Sequence, residues 1–303
     1  MRDLRGEDMR IVLLGICAFA VAGCGVSLAS EPDAGEPRLV AARLLDRGRR
    51  SSARASGDAA LAPLRTAAEQ AAEALGPESY QAARIRAAVA EHADAPKLSK
   101  ALKSIRDDLI FEPVMEAPLP EGFPGMTPVG ELVLKRYPAY RMAQADMTGS
   151  SRRQREGSAF SQLFNHIKSN NVAMTAPVRM DYAAAGDRLR QQAMAFLYES
   201  PRQGRTGPDG PVRVIDVPES WALSIGYRGN YSADDIDDAQ QRFDQWIREH
   251  AAEYELAGPL RVMGWNSPWV WGAKRYFEVQ QPVRPRQPGT PPASLDADVA
   301  RNR

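Results

Sequence analysis

Cysteine is almost absent from this chain of 303 residues, since its only two cysteines, Cys17 and Cys24, both lie close to the N-terminus. The remainder of the chain therefore has no disulfide, no thiolate nucleophile and no cysteine-rich metal site. The sequence also lacks a phosphate-binding glycine loop, a nucleophile elbow and a His-Glu-x-x-His zinc motif. These absences exclude several common classes of enzyme.

An excess of charge of either sign is also missing, because 39 basic side chains are balanced by 38 acidic ones. The basic residues do not gather into a block that would follow a phosphate backbone. We therefore predict that nucleic acid is not a partner of this protein.

Long hydrophobic runs are limited to residues 11–22. This run is too short to span a bilayer comfortably, but it has the length of the apolar region of a signal peptide. It ends in the sequence VAGC at residues 21–24, which resembles a bacterial lipobox, in which the cysteine becomes the lipidated first residue of the mature protein. We predict a signal peptide over residues 1–23, lipidation of Cys24, and a membrane-anchored lipoprotein of the periplasm or cell envelope.

Two alternatives at the N-terminus stay open. An ordinary secretory peptide could instead be cut after the sequence SLA at residues 27–29, and the mature chain would again leave the cytoplasm. The mixed charges before Met9 also leave open whether translation begins at Met1 or at Met9.

A polar tether is predicted over residues 24–37 and a helical segment over residues 38–115. Alanine, arginine, glutamate and leucine dominate the helical segment, with breaks at Gly57, Gly76-Pro77 and Pro96. Its apolar stripes consist mostly of small residues. We therefore predict a helical hairpin or spacer with little core of its own, which either packs on the following domain or holds that domain away from the membrane.

A linker rich in proline and glycine, residues 116–130, is predicted to mark a domain boundary, and the pattern after it is mixed. The predicted strands cover residues 131–142, 170–178, 193–198, 212–217, 221–227, 260–265 and 276–279, and the predicted helices cover residues 157–169 and 233–254. Because strands, a helix and further strands follow one another twice, we infer a weak internal duplication. Residues 283–303 are predicted to be a disordered tail.

Two motifs resemble the SOUL haem-binding family. Residues 171–178 read NVAMTAPV after a helix, and residues 264–268 read GWNSP and lead to KRYFEV at residues 274–279. The resemblance covers residues 131–282. It implies an α+β fold with a distorted, partly open β-barrel of two pseudo-repeated strand-helix-strand units flanked by two helices, preceded here by the helical segment. It also implies non-covalent binding of haem or a related tetrapyrrole for trafficking, buffering or sensing, without a catalytic step.

A haem pocket needs aromatic and apolar area for the porphyrin face and cations for the two propionates. Phe160 and Phe164 on the first of the two helices, with Met174 beside them, are candidates for the apolar area, although they can equally form the core between helix and sheet. Trp269 and Trp271 form a second candidate group. They lie one residue apart in a loop between two strands, so at least one is expected to be exposed unless a ligand covers it.

Cations follow the tryptophans directly. Lys274 and Arg275 are the candidates for contact with the propionates. The alternative is a tryptophan lid over the end of the barrel with a solvated basic pair.

An iron ligand is not assigned from the sequence. His166 is predicted to point to solvent, His250 to belong to the core face of the second helix, and His92 to lie on an apolar stripe of the helical segment. Haem held by apolar contacts, or by a methionine or a tyrosine, remains open. An acidic group at the start of the second helix is attributed to the helix dipole rather than to a metal site; it comprises Asp234, Asp235, Asp237 and Asp238.

Two other functions are considered. A small-molecule hydrolase would use an acidic and aromatic cleft, for which Glu278, Tyr276 and Trp271 are the candidates. A protein interaction module of the envelope would use the helical segment and the tryptophan loop without any ligand.

Overall fold

The computed structural model describes residues 35–185 and 188–286. The predicted signal peptide, Cys24, most of the predicted tether and the chain after residue 286 lie outside the described residues. Within the described part, no helix combines the length and the apolar character that crossing a membrane requires.

The helical segment forms a bundle with a core of its own. Its helices are α1 (Gly35–Ser52), α2 (Leu61–Leu75), α3 (Tyr80–Glu91) and α4 (Ala95–Leu109), with a short 3₁₀ turn at Gly57–Ala60. The breaks fall where the sequence places glycine or a capping residue: Gly76 has φ 86° after α2, Ser79 caps α3 and Asp94 caps α4. The prediction of a hairpin with little core is therefore wrong, because five large side chains are fully buried between the helices: Leu45, Leu64, Ile85, Leu98 and Leu102.

The second part of the chain is an antiparallel sheet with two long helices. The strands are β1 (Leu132–Tyr137), β2 (Tyr140–Asp146), β3 (Val178–Ala185), β4 (Arg188–Leu197), β5 (Gly207–Asp209), β6 (Val212–Val217), β7 (Ser220–Arg228), β8 (Tyr254–Leu256), β9 (Arg261–Gly264) and β10 (Tyr276–Pro285). The helices are α5 (Arg152–Ser169) and α6 (Ala233–Glu249).

The strands lie in the order β1-β7-β10-β9-β3-β4-β2-β6-β5, and β8 pairs with β10. The sheet is not closed, so the described chain has an open α+β fold, as predicted. The more detailed description, a barrel of two pseudo-repeats, stays a prediction.

Helices cover one face of the sheet. Helix α5 packs over β2, β4 and β6, and helix α6 packs over β7 and β10. Their buried faces, including Leu163 and Phe243, meet inward side chains such as Phe196 and Val279 in one large apolar core. We call this side of the sheet the helix face. Burial of this apolar area is the main source of stability for the sheet.

An extended segment covers the opposite face. Residues 111–130, which we call the strap, contain the predicted linker and no helix or named strand. Phe123 of the strap packs edge-on against Tyr137 at 5.2 Å and against Tyr140 at 5.1 Å. These two tyrosines belong to strands far apart in the sheet order, so the sheet curls around the strap.

Several predicted elements differ from the structure. The second helix ends at Glu249 and not at residue 254, and the strand predicted over residues 131–142 is divided into β1 and β2. The predicted strand over residues 170–178 is wrong except at its last residue, because residues 170–177 form an irregular connection and β3 begins only at Val178. Pro177, which has no N–H to donate, follows a cis peptide bond. Helix α5 begins earlier than predicted, at a capping box formed by Ser151 and Gln154. The predicted disordered tail is wrong in its first residues, since β10 continues to Pro285 and pairs there with β8.

Candidate functional site

Two phenylalanines on α5 expose aromatic surface beside the sheet. Phe160 and Phe164 lie one helical turn apart, with 39% and 47% of their surface exposed. Their rings stack with centroids 6.3 Å apart, and Phe160 also packs edge-on against the buried Phe196 at 5.1 Å. The apolar face of α5 that meets the sheet is made by other residues, such as Leu163. The two phenylalanines are therefore only partly used by the core.

The strand register places these rings beside a groove. Phe196 on β4 pairs with Val178 on β3, which in turn pairs with Gly264 on β9. Strands β3 and β9 lie between the strands that α5 and α6 cover, so the strip of helix face between the two helices belongs to β3 and β9. Met180 and Val262 of this strip are buried, whereas Val178 and Gly264 are partly exposed. Gly264 adds no side chain here, and a Cβ atom at this position would make only an ordinary contact, 3.5 Å from Cε of Met180. We call this strip between the two helices the central groove.

A polar cluster closes one end of the central groove. Tyr231, which precedes α6, donates its hydroxyl proton to Glu156 on α5, and the Arg152 guanidinium lies 4.0 Å from the centre of the Tyr231 ring. Gln191 Nε2 donates to the same carboxylate at 2.8 Å. Burial alone would raise the pKa of Glu156, but the hydrogen bonds from Tyr231, Arg152 and Gln191 outweigh it and lower the pKa. Burial and the adjacent Glu156 raise the pKa of Tyr231 to about 12.

The loop that joins β9 to β10, residues 265–275, presents two tryptophans to solvent. Trp269 and Trp271 are 92% and 77% exposed. The sequence predicts that at least one of them is exposed, and both are. We call residues 265–275 the tryptophan loop.

Arg275 holds this loop in place. Its guanidinium donates to the carbonyl oxygen of Val270 at 2.8 Å, to Asn230 Oδ1 and to the carbonyl oxygen of Pro268. Lys274, in contrast, is exposed and makes no ion pair with the described residues. Of the two predicted propionate contacts, Lys274 is therefore the available cation, while Arg275 is engaged within its own loop.

The phenylalanines of α5 and the tryptophan loop lie at the same end of the sheet. The tryptophan loop begins directly after Gly264, which lies level with Phe196 under Phe160. Met174 is half-buried and packs against the helix-face core. Within the described ranges, no ring contact or hydrogen bond joins the phenylalanines to the tryptophans. The role of all these residues in binding a ligand stays a prediction.

The histidines are engaged elsewhere. The prediction that His166 points to solvent is wrong: it is buried, with Nδ1 2.7 Å from Asp209 Oδ2 and Nε2 2.7 Å from the Tyr198 hydroxyl. His250 stacks on Trp246 with ring centroids 4.0 Å apart. His92 ends α3 in the helical bundle. None of the three lies in the central groove, so the structure offers no histidine there for an iron ligand.

A buried ion pair on the strap side of the sheet was not predicted from the sequence. Glu278 Oε1 accepts hydrogen bonds from Lys135 Nζ and from the Thr127 backbone N–H, each at 2.7 Å, and from the Tyr276 hydroxyl at 3.0 Å. Gln280 donates to the second carboxylate oxygen at 2.7 Å. Burial alone would raise the pKa of Glu278, but the charge of Lys135 and these hydrogen bonds outweigh it and lower the pKa.

This arrangement separates the residues considered for a hydrolase. Glu278 and Tyr276 are buried beneath the strap, whereas Trp271 is exposed on the tryptophan loop. They do not line one cleft in this structure.

Two residues of the acidic group of α6 accept hydrogen bonds within the protein. Asp235 accepts hydrogen bonds from the N–H and the hydroxyl of Ser232 in a capping box, and Asp238 accepts one from Tyr227 at 2.8 Å. Across the described ranges there is no group of three or more histidine, cysteine, aspartate or glutamate residues that would hold a metal ion.

The fold thus presents partly exposed aromatic rings beside an open antiparallel sheet that carries two helices on one face. The chain belongs to the SOUL haem-binding family, because the family described as "SOUL heme-binding protein" matches residues 130–282, half of the sequence. At the family level this membership implies binding of haem or a related tetrapyrrole.

Several solved structures resemble about half of the chain. The C-terminal domain of EcmrR is 18% identical with a TM-score of 0.40, covering 51% of this chain and 97% of that domain. A hydrolase from Listeria innocua is 10% identical with a TM-score of 0.37, covering 52% and 94%. SAV2435 bound to tetraphenylphosphonium is 13% identical with a TM-score of 0.32, covering 51% and 94%. No curated protein matches the chain.

Proposed function

We propose that this protein binds haem or a related tetrapyrrole non-covalently in the bacterial cell envelope, for trafficking, buffering or sensing and without a catalytic step. Membership of the SOUL family supports the ligand class. The observation that carries the proposal is the partial exposure of Phe160 and Phe164 beside the central groove, at the end of the sheet from which the tryptophan loop emerges.

The available side chains suit a porphyrin. Phe160, Phe164 and Met174 offer apolar contact to the macrocycle, and Trp269 and Trp271 add aromatic area that the fold leaves uncovered. Lys274, which makes no ion pair with the described residues, is the cation proposed for a propionate. Since the three histidines lie outside the groove, apolar contacts are the main binding force in this proposal, and the iron ligand stays unassigned.

Titration with haemin tests the proposal. The purified protein should give a saturable Soret shift with one site, and the Phe160→Ala/Phe164→Ala variant should bind at least about tenfold more weakly, because each truncation removes more than about 1 kcal/mol of apolar contact. The matched control is Leu39→Ala/Val40→Ala, which truncates two exposed apolar residues of α1 and should leave the affinity unchanged.

Two results would count against this site or this ligand. Unchanged affinity in the phenylalanine variant would place the ligand outside the central groove. A Soret shift no larger than that given by an unrelated protein would remove haem as the ligand.

The cell-envelope location is part of the same proposal and rests on the sequence of residues 11–24. A Cys24→Ser variant should lose the mass of its lipid and leave the membrane fraction. Membrane association that survives the substitution would point to an uncleaved N-terminal anchor or to contacts made by the folded protein itself.

The internal duplication is supported by the order of the elements. Two strands, a helix and two strands occur as β1-β2-α5-β3-β4 and again as β6-β7-α6-β9-β10. In the sheet, β9 and β3 are neighbours, and corresponding strands lie at equal distances on either side of that junction. We propose on this basis that the two halves derive from one unit and that the central groove lies where they meet.

A further inference from the structure

The tryptophan loop shares an exposed apolar surface with the start of the strap. Val114 and Met115 are 41% and 52% exposed, next to a loop whose tryptophans are more exposed still. Asn266 Nδ2 donates to the Val114 carbonyl oxygen at 2.7 Å, which fixes the two segments side by side. Because Glu116 also accepts two hydrogen bonds from Ser267, this surface is held by three hydrogen bonds. We call Val114, Met115, Trp269 and Trp271 the apolar rim.

The rim lies on the side of the molecule where the described chain begins. Helix α1 starts at Gly35, and Arg38 in its first turn donates to the carbonyl oxygens of Asp108 and Leu109 at the end of α4. Ile110, 36% exposed, continues the apolar surface from there towards Val114. The five residues that lead from Leu109 to Val114 span at most about 18 Å when fully extended. The N-terminal end of the described chain therefore lies near the rim.

The chemistry of the rim suits a lipid surface. Tryptophan combines a large apolar ring with an N–H group and concentrates at the boundary between lipid headgroups and acyl chains. Lys274 can bury its stem and keep its ammonium group among the headgroups. The tryptophans protrude from a loop that Arg275 holds in place, and they do not line a concave pocket. This shape suits insertion into the headgroup region of a bilayer.

Charge around the rim is balanced, because Lys274 and Arg275 are matched by Glu112 and Glu116. A balanced surface gains little from anionic lipids. The geometry points to a docking surface for a bilayer of zwitterionic lipid, formed by Val114, Met115, Trp269 and Trp271, which brings the central groove close to the membrane independently of any lipid on Cys24.

Vesicle binding tests this inference. The Cys24→Ser protein, which carries no lipid, is mixed with phosphatidylcholine vesicles whose acyl chains are brominated, and tryptophan fluorescence is recorded. Fluorescence should be quenched on binding. The Val114→Ser/Met115→Ser variant should bind about tenfold more weakly, because two apolar contacts with the bilayer are lost.

Trp269 and Trp271 belong to both proposals, so a reciprocal control uses residues that only one proposal involves. Phe160→Ser/Phe164→Ser removes two exposed apolar residues outside the rim, so it should weaken haemin binding and leave vesicle binding unchanged. Val114→Ser/Met115→Ser should do the opposite. Each proposal can thus fail while the other stands.

Three outcomes would overturn the docking surface. These are the absence of quenching, equal vesicle affinity in the parent and the Val114→Ser/Met115→Ser variant, and binding that requires anionic lipid and is abolished by salt. Trp269→Glu is a second variant for the same test. Since Trp269 is almost fully exposed, this change leaves the folded core intact and should abolish vesicle binding.

Discussion

Lys135 on β1 and Glu278 on β10 form an ion pair of 2.7 Å in which both side chains are almost completely buried, although β7 lies between their strands. The strap completes the arrangement, because Thr127 donates its N–H to the same carboxylate oxygen and Gly125 accepts a hydrogen bond from Lys135 at 2.6 Å. One buried carboxylate therefore links the first strand, the last strand and the strap.

Removing one member of this pair should destabilise the protein strongly. Lys135→Met leaves the Glu278 carboxylate buried without its counter-charge, and such changes cost about 3–5 kcal/mol. Chemical denaturation of the parent and the variant measures the difference. The matched control is Arg136→Ala, which breaks the exposed pair with Glu219 and should cost less than about 1 kcal/mol. Equal losses in both variants would contradict a structural role for the buried pair.

The strap should be sensitive to a single methyl group at Gly226. A Cβ atom there would lie 2.3 Å from the Thr127 carbonyl oxygen and 2.6 Å from the Tyr276 hydroxyl. We expect Gly226→Ala to cost about 1–3 kcal/mol through overpacking and to increase proteolytic cleavage within residues 111–130.

Gly125 in the strap itself provides the control for this experiment. A Cβ atom at Gly125 meets nothing within 4 Å, so Gly125→Ala should leave both stability and cleavage nearly unchanged. A Gly226→Ala protein as resistant to protease as the parent would show that the strap does not depend on this close approach.

His166 should affect the stability of the protein but not its binding of haem. Both of its ring nitrogens are within 2.7 Å of partners, Asp209 and Tyr198, so His166→Ala leaves the buried Tyr198 hydroxyl unpaired. We expect a loss of about 1–3 kcal/mol by denaturation and an unchanged Soret spectrum and affinity in the haemin titration. A shifted Soret band in the variant would instead indicate that His166 binds the iron.

Low pH should lower the folding stability of the protein partly through protonation of Glu156. The folded-state pKa of Glu156 lies below its ordinary value of 4.5, because the hydrogen bonds from Tyr231, Arg152 and Gln191 outweigh the effect of burial. The ionised carboxylate therefore stabilises the fold above pH 4.5, and this contribution is lost as the pH falls through the folded-state pKa.

The urea midpoint should accordingly fall less steeply between about pH 5 and about pH 3 in Glu156→Gln than in the parent. Glu249→Gln, a change at an exposed position of α6, is the control and should keep the parent slope. If the urea midpoint of Glu156→Gln falls with pH as steeply as that of the parent, this carboxylate does not contribute to the acid sensitivity.

Local signals in the sequence were enough to locate the helices and most strands. The predicted breaks at Gly57, Gly76-Pro77 and Pro96 lie between α1 and α2, between α2 and α3 and in the first turn of α4. The open α+β sheet was predicted from the resemblance to a family. The bundle core was not predicted, because small apolar residues on separate stripes do not reveal that four helices bring Leu45, Leu64 and Leu98 together.

Long-range pairing accounts for what the sequence did not reveal at the site. Lys135 and Glu278 are 143 residues apart, and no periodicity connects them. His166 was predicted to face solvent because it lies off the stripe of Phe160 and Phe164, yet Asp209 and Tyr198, supplied by distant segments, enclose it. The exposure of at least one of the two tryptophans, in contrast, was predicted from their place in a loop between two strands, and the structure exposes both.

The strap is synthesised well before β10, a strand that it contacts in the folded protein. Thr127 is made 151 residues before Glu278, its hydrogen-bond acceptor, and β1 has β7 as its named neighbour in the sheet. At the usual pace of translation this separation is roughly 8 to 30 s. During that interval the helical bundle is already complete, while the strap and β1 emerge from the ribosome without their partners. The aromatic residues of the strap, Phe111 and Phe123, are then exposed nascent chain, and chaperone contact is expected to concentrate on this segment.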